Sequence, residues 1–120
     1  MNIGQFAALT GLSAHTLRYY EKIGLLQSVV RNASGHRDYA EKEAQWIEFI
    51  NRLKETGMPL KQILTYAELR AQGDTTAGER QQLLEQHASQ LAERIRQEQA
   101  HLIALEQKIR YYQTHFSDEA

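Results

Sequence analysis

The sequence predicts a mainly α-helical protein with a winged helix-turn-helix head, a small β-hairpin wing and a long C-terminal coiled-coil helix. Three observations lead to this fold class. Two short helical segments flank the turn TGLS, a Gly-containing turn separates two short strand-like runs, and a heptad repeat fills the last part of the chain. We expect the winged helix-turn-helix head over residues 1–74 and the coiled-coil helix over residues 75–120.

Composition narrows the class of protein further. The 120 residues include no cysteine, which excludes disulfides, thiolate metal sites and thiol chemistry. No run of about 18 apolar residues and no secretory signal occur, so we expect a cytoplasmic protein without a membrane partner. Residues 1–39 carry four basic and two acidic side chains, whereas residues 40–120 carry ten and thirteen. A positive head on a negative body permits a nucleic-acid partner at the N-terminus.

The first two helices are bounded by capping residues and glycines. Asn2 begins the first helix with a capping box, and Gly11 ends it. Ser13 caps the second helix, residues 14–22, which closes at Gly24. The apolar stripe of the first helix consists of Ile3, Phe6, Ala7 and Leu9.

The middle of the chain predicts a wing and two more helices. Strand residues 29–31, with Val29 first, and residues 36–39 flank the turn NASG, and so small a hairpin needs neighbouring helices for stability. Helix three runs from about Glu41 to Thr56, and helix four opens with Pro59 at its first position. The residues expected to face inward are Ala44, Trp46, Ile47, Ile50, Leu53, Leu60, Ile63, Leu64 and Ala67.

The last helix carries the heptad repeat. A capping box at Thr76 and Glu79 begins it, and it continues to about Phe116, a length of about 55 Å. Nine of its ten core positions are apolar and the tenth is Glu98, which is a coiled-coil signal. The head is too small to cover this seam, so we expect a homodimer. The dimerisation residues are Leu84, Ala88, Leu91, Ile95, Leu102, Leu105, Ile109, Tyr112 and Phe116.

The polar face of the second helix indicates DNA binding. Ala14 and Leu17 lie on the opposite side, so the polar stripe points outward. Its side chains match phosphate oxygens and base edges, which favours a helix in the major groove over a merely solvated surface. Arg37 on the wing can reach the flanking backbone, and Lys54 and Lys61 near the start of helix four favour a phosphate. The stripe consists of His15, Arg18, Tyr19 and Lys22.

The succession TLRYYEKIGLL, GHRDY, TGMPLKQI and a final long helix resembles regulators of the MerR family over essentially the whole chain. The resemblance implies an antiparallel coiled coil and a dimer that binds an over-long promoter spacer, which it bends and untwists so that RNA polymerase can engage. Many relatives have an aromatic residue where this chain has His36, a change expected to alter one phosphate contact. The residues implied at the DNA backbone are Arg18, Tyr19, Tyr20, Arg37 and Lys54, with His15 and Thr16 near base edges.

The same resemblance restricts the signals that the chain can sense. Metal-responsive members use cysteines, and the aldehyde and nitrosative-stress branch that the chain most resembles often has one where residues 51–53 read NRL. Multidrug-sensing members have an additional C-terminal domain, which is not expected because four residues follow Phe116. No cofactor and no metal are expected. A small-molecule effector of unknown identity would lodge near four residues for which core packing is the favoured interpretation, namely Trp46, Phe49, Tyr66 and Leu69.

These features favour one of three functions. The leading one is a dimeric, sequence-specific transcriptional regulator, and the alternative is a winged-helix architectural protein with no effector response. An enzyme is disfavoured because the sequence shows no nucleophile–base pair, Gly-rich phosphate loop or metal-ligand set. The operator and the choice between activation and repression stay open.

Overall fold

The computed structural model describes residues 1–27 and 30–116, which form five α-helices and one two-stranded antiparallel hairpin. The elements are α1 (Ile3–Thr10), α2 (Ala14–Ile23), β1 (Val30–Arg31), β2 (Arg37–Asp38), α3 (Glu41–Glu55), α4 (Leu60–Ala71) and α5 (Ala77–His115). A short 3-10 turn, Asp74–Thr76, joins α4 to α5. The predicted fold class, mainly helical with a hairpin wing and a long last helix, is confirmed.

The predicted caps of α1 and α2 are present. Asn2 Oδ1 accepts a hydrogen bond from the Gln5 N–H at 2.8 Å, and Gln5 Oε1 accepts one from the Asn2 N–H at 3.0 Å. Ser13 Oγ accepts from the Thr16 N–H at 3.0 Å at the start of α2. Gly11 follows α1 with a φ of +74°, a left-handed conformation that glycine adopts without steric cost. These bonds fix the ends of both helices, and α1 packs on α2 and α3.

The core of the head lies between α1, α2, α3 and α4. Phe6 stacks on Tyr39 with ring centroids 4.6 Å apart, which attaches α1 to the residue that follows the wing. Trp46 Nε1 donates to the Leu25 carbonyl at 2.7 Å and ties α3 to the segment after α2. The other buried apolar residues are Leu17, Tyr20, Leu26, Ile47, Ile50, Leu53, Met58, Ile63 and Ala67.

The wing is a β-hairpin whose two strands have two residues each and are joined by a hydrogen-bonded turn. Its register pairs Val30 with Asp38 and Arg31 with Arg37. Asn32 closes the turn, since its N–H donates to the His36 carbonyl at 2.8 Å and its Oδ1 accepts from the His36 N–H at 3.1 Å. The predicted hairpin is confirmed, and Val29, its predicted first residue, lies outside the described residues.

Three burial assignments differ from the prediction. Leu9 and Leu60, expected in the core, are 54% and 45% exposed. Both lie at an end of their helix, where the apolar period continues beyond the surface that a neighbouring helix covers.

Glu43 was not expected inside, yet it is 2% exposed on the inner side of α3. Its Oε1 lies 3.4 Å from Arg70 Nη2, so the buried carboxylate is paired with a guanidinium.

Two predicted helix starts are wrong in detail. Pro59 is the N-cap of α4 rather than its first helical residue. The Thr76 hydroxyl lies 2.9 Å from the Gly73 carbonyl and accepts from Arg80 Nε at 3.1 Å. Thr76 therefore fastens the turn after α4 instead of forming the predicted capping box with Glu79. A cap would need the hydroxyl as an acceptor, and here it accepts from the Arg80 side chain while it donates to the preceding turn.

The chain divides into two compact units, Met1–Leu84 and Glu85–Ala120. The first turns of α5 belong to the first unit, where Leu84 packs against the core of the head. A functional division between residues 74 and 75 stays a prediction. Within residues 1–27 and 30–116, no helix has the length and hydropathy that crossing a lipid bilayer requires.

The Tyr39 hydroxyl is buried without a hydrogen-bond partner among the described residues. Tyr39→Phe keeps the stack on Phe6 and removes this group, so the free energy of unfolding should stay constant or rise by about 1 kcal/mol. Urea unfolding followed by circular dichroism measures the change. The control Phe6→Ala should lose about 3–5 kcal/mol because it empties a core position. A loss of more than about 1 kcal/mol in Tyr39→Phe would contradict the unpartnered hydroxyl.

Candidate nucleic-acid interface

The outer side of α2 is a continuous polar surface. Leu17 is fully buried beneath it, and Leu25 and Leu26 close the apolar side immediately after the helix. Thr16 is half-buried, and its hydroxyl lies 3.0 Å from the Ser13 hydroxyl at the N-cap. The main role of Thr16 in the structure is therefore at the start of α2, beside the N-cap residue. The exposed residues of the stripe are His15, Arg18, Tyr19 and Lys22.

Tyr20 differs from the other predicted contact residues because it is 4% exposed and belongs to the core. Its hydroxyl accepts a hydrogen bond from Lys54 Nζ at 2.8 Å, and the same ammonium lies 5.3 Å from the centroid of the Tyr20 ring. Lys54 itself is exposed near the end of α3. Tyr20 therefore contributes to this surface by holding Lys54 beside α2, not by offering an open ring.

Arg37 on β2 is held against α2 by an ion pair. Its Nε donates to Glu21 Oε2 at 2.7 Å, and both side chains are partly buried. Because the carboxylate engages Nε, the two terminal nitrogens of the guanidinium stay available as donors. The contact places the wing and the polar surface of α2 side by side.

A concave pocket lies between the wing, α2 and the start of α1. We call it the basic cleft; its volume is about 230 Å³, and it is lined by Asn2, Ile3, Arg18, Arg31, Gly35, His36 and Arg37. Arg31 Nη1 donates to the Gly35 carbonyl at 2.8 Å, which fixes a second guanidinium at the mouth. Guanidinium groups bind phosphate and carboxylate oxygens in paired hydrogen bonds. The cleft is therefore suited to a phosphate group.

Sequence reasoning did not select Arg31 or Asn2 as interface residues, and it treated His36 only as a departure from the family pattern. The register of the hairpin pairs Arg31 with Arg37 across the wing. Predicting this pairing from the sequence could have identified Arg31 as an interface residue. The contribution of Asn2 depends on how α1 meets the wing, where the Tyr39 N–H donates to the Met1 carbonyl at 2.7 Å. That contact joins residues that are far apart in the sequence, and no short sequence pattern predicts it.

Tyr39 lies beside the charged groups of the interface and stays neutral. Burial raises the pKa of its phenol above the ordinary value, and the Glu21 carboxylate adds to the rise, whereas Arg37 and Arg18 act in the opposite direction. Because the phenol is neutral, the charge of this surface is set by the Arg37 and Arg18 guanidiniums and by the Glu21 carboxylate.

The remaining predicted contact, Lys61, is exposed in the first turn of α4. Helix N-termini attract anions because their first N–H groups lack partners within the helix. Within the described part of the chain Lys61 is not among the residues that line the basic cleft, so its role at DNA stays a prediction.

Three of the four residues considered as an effector pocket pack on one another. Trp46 and Tyr66 stack with centroids 5.7 Å apart, and Phe49 lies 5.7 Å from Tyr66. The Arg70 guanidinium covers the Trp46 ring at 4.4 Å. Leu69 is half-buried on the same helix as Tyr66. This arrangement agrees with the core-packing interpretation.

The predicted dimerisation residues lie along α5. Leu84 and Leu91 are half-buried, and the stripe becomes exposed along the second half of the helix. Its large apolar members are between 47% and 65% exposed, an unusual amount for a helix face in water. They are Ile95, Leu102, Leu105, Ile109, Tyr112 and Phe116, while the small residue Ala88 is also exposed.

Comparison with known proteins gives two family matches. A model described as the MerR HTH family regulatory protein matches residues 1–69, and one described as MerR, DNA binding matches residues 44–108. The regulator AdhR of Bacillus subtilis is 42% identical over 93 residues, which are 78% of this chain and 66% of that protein. An uncharacterized HTH-type transcriptional regulator of Haemophilus influenzae is 41% identical over 86% of this chain and 76% of its own length.

Solved structures of similar proteins share the fold. HiNmlR, a MerR family regulator lacking the sensor domain and bound to promoter DNA, has a TM-score of 0.80 and 38% identity. The match covers 94% of this chain and 90% of that one. A MerR family regulator from Bacillus thuringiensis has a TM-score of 0.75 and 33% identity over 93% of this chain and 98% of its own.

The contact between Tyr20 and Lys54 can be tested by removing one oxygen. Tyr20→Phe keeps the ring and deletes the acceptor, so affinity for a labelled duplex should fall about twofold to tenfold as Lys54 becomes mobile. Fluorescence anisotropy measures the affinity, and Tyr66→Phe is a matched control expected to bind like the native chain. Unchanged affinity in Tyr20→Phe would mean that Lys54 needs no such partner.

Proposed function

The chain belongs to the MerR family of DNA-binding transcriptional regulators, and on this basis we propose that it acts as a homodimer that binds and distorts a promoter spacer. The proteins it resembles are transcriptional regulators rather than enzymes. One observation carries the proposal: the exposed side of α2 and the basic cleft lie next to each other, joined by the contact between Arg37 and Glu21.

Each part of this surface has a distinct task in the proposal. The exposed side of α2 enters the major groove, where His15 and Thr16 lie nearest the base edges. Arg18, Lys22 and Lys54 contact phosphates that flank the groove. The basic cleft takes a phosphate further along the same backbone, through Arg37 and its neighbours on the wing. Phosphate contacts set the register of the protein, and the groove contacts read the sequence.

The second copy is proposed from the exposed apolar stripe of α5. A helix of 39 residues extends about 58 Å. A regular heptad of large apolar side chains in water favours burial against an identical helix, at roughly 25 cal/mol for each Å² covered. In this proposal residues 1–74 bind DNA and residues 75–120 dimerise through an antiparallel coiled coil. Glu98, the polar core position, can set the register.

Regulation in this proposal acts through the shape of the promoter. Two heads held by one coiled coil fix the distance between two contact sites, and bending or untwisting the spacer between them changes how RNA polymerase engages. The polymerase is thus an indirect partner. A small-molecule titration distinguishes a sensing regulator from a purely architectural protein, since promoter output changes only for the first.

Arg18→Ala tests the phosphate contacts. The variant should bind operator and unrelated duplexes more weakly, and the slope of log affinity against log salt should fall by about one. Titrations of labelled DNA from upstream of the chain's own gene, at several salt concentrations, give this slope. The control Lys42→Ala removes an exposed lysine of α3 that is not among the residues lining the basic cleft, and it should leave the slope unchanged. A native slope in Arg18→Ala would contradict the phosphate role.

Leu102→Asp tests the homodimer. A carboxylate in the apolar seam should convert the dimer to single chains at micromolar concentration, because an unpaired charge in a buried seam costs several kcal/mol. The neighbouring Ile103→Asp makes the same change at an equally exposed residue outside the heptad core and should leave the dimer intact. Sedimentation velocity separates the two masses. A native chain that sediments as a monomer, or equal effects of both variants, would contradict the seam.

A further inference from the structure

We propose that Glu21 is a positioning residue for DNA binding: its carboxylate holds the wing arginine, Arg37, in place, so this negative charge strengthens the affinity for DNA. The inference rests on the proposed function, because it assigns Arg37 a phosphate contact. It concerns a residue that the family pattern and the polar stripe of α2 had not selected.

The geometry supports a positioning contact. Arg37 Nε donates to Glu21 Oε2 at 2.7 Å, and the two side chains are 36% and 24% exposed. Partial burial limits competition from water and salt, so the pair is less screened than an ion pair on an open surface. Among the described residues the guanidinium is engaged through Nε alone, so its terminal nitrogens keep their donors for an oxyanion beside the cleft.

The wing backbone is tied to the N-terminus, where the Met1 ammonium lies 2.7 Å from Asp38 Oδ1, but the Arg37 side chain needs a contact of its own to stay in the cleft. Each strand of the hairpin has two residues, and a hairpin of this size is not stable in isolation. Arg31 is paired with Arg37 in the register, and Arg18 lines the same cleft, so like charges surround the guanidinium. Without the Glu21 carboxylate, their repulsion favours rotamers that carry Arg37 out of the cleft and into solvent.

Coulomb attraction alone predicts the opposite sign. Glu21 lies on α2, the helix that faces the phosphates, beside Lys22 and one turn after Arg18. If its charge acted directly on the DNA, neutralising it would strengthen binding. The positioning role predicts weaker binding on neutralisation, and this difference in sign separates the two accounts without any structure of a complex.

The experiment compares six proteins: native, Glu21→Gln, Glu21→Asp, Arg37→Ala, the Glu21→Gln/Arg37→Ala double variant and the control Glu48→Gln. Glu48 is an exposed carboxylate of α3, so its substitution makes the same change in net charge away from the wing contact. The probes are a labelled duplex from upstream of the chain's own gene and an unrelated duplex of equal length. Anisotropy titrations at several salt concentrations give the affinity and the salt slope.

Glu21→Gln should weaken binding to both duplexes about threefold to tenfold and lower the salt slope by about one. It should cause no further loss when Arg37 is already alanine, since the two groups then act as one unit. Glu21→Asp keeps the charge and should recover part of the affinity. Glu48→Gln should bind as tightly as the native chain or slightly more tightly.

Three results would overturn the inference. Glu21→Gln could bind as well as Glu48→Gln, which would make the carboxylate a spectator or a source of repulsion. It could weaken binding equally in the Arg37→Ala background, together with a lower melting temperature, which would make its role structural. If the native chain bound neither duplex, the proposed function would fail as well, and this outcome is distinct from the first two.

Discussion

The burial of one side of α2 is the constraint on which the rest of the proposed interface depends. Leu17 is fully enclosed and Tyr20 nearly so, which fixes the rotation of the helix about its axis. Since residues three and four apart share a face, this rotation turns Arg18 and Lys22 toward solvent. The same burial brings the Tyr20 hydroxyl within reach of Lys54 and adds a cation from α3. Packing in the core thus decides which charges meet at the surface.

The interface is a local concentration of positive charge in a chain whose net charge is −1. Net charge therefore gives little information about the partner, whereas the cleft lined by Arg18, Arg31 and Arg37 indicates that the partner is an anion. Three guanidiniums in one cleft repel one another until an anion joins them. Glu21 partly fills this role in the free protein, and in the proposed complex phosphate oxygens would complete it. A surface of this kind is held ready for an oxyanion rather than assembled around it.

Local signals in the sequence were sufficient to predict the helices and the hairpin. The contacts between side chains far apart in the sequence depend on tertiary packing and could not be predicted from such signals. Caps and glycines mark where helices begin and end, so α1 and α2 were predicted almost to the residue. Periodicity tells which way a side chain points but not how far a neighbour extends, and Leu9 and Leu60 were therefore misassigned. Glu21 and Arg37 are 16 residues apart, and Tyr20 and Lys54 are 34 apart. Such pairs follow from the packing of whole helices, and no motif of adjacent residues contains them.

The central claim is that two such interfaces, held by one pair of α5 helices, bind one duplex. Hydroxyl-radical footprinting of the DNA upstream of the chain's own gene tests this most directly. The account predicts two clusters of backbone protection related by a local dyad and separated by a whole number of helical turns, about 34 Å each. A single cluster, or uniform protection along the duplex, would contradict it.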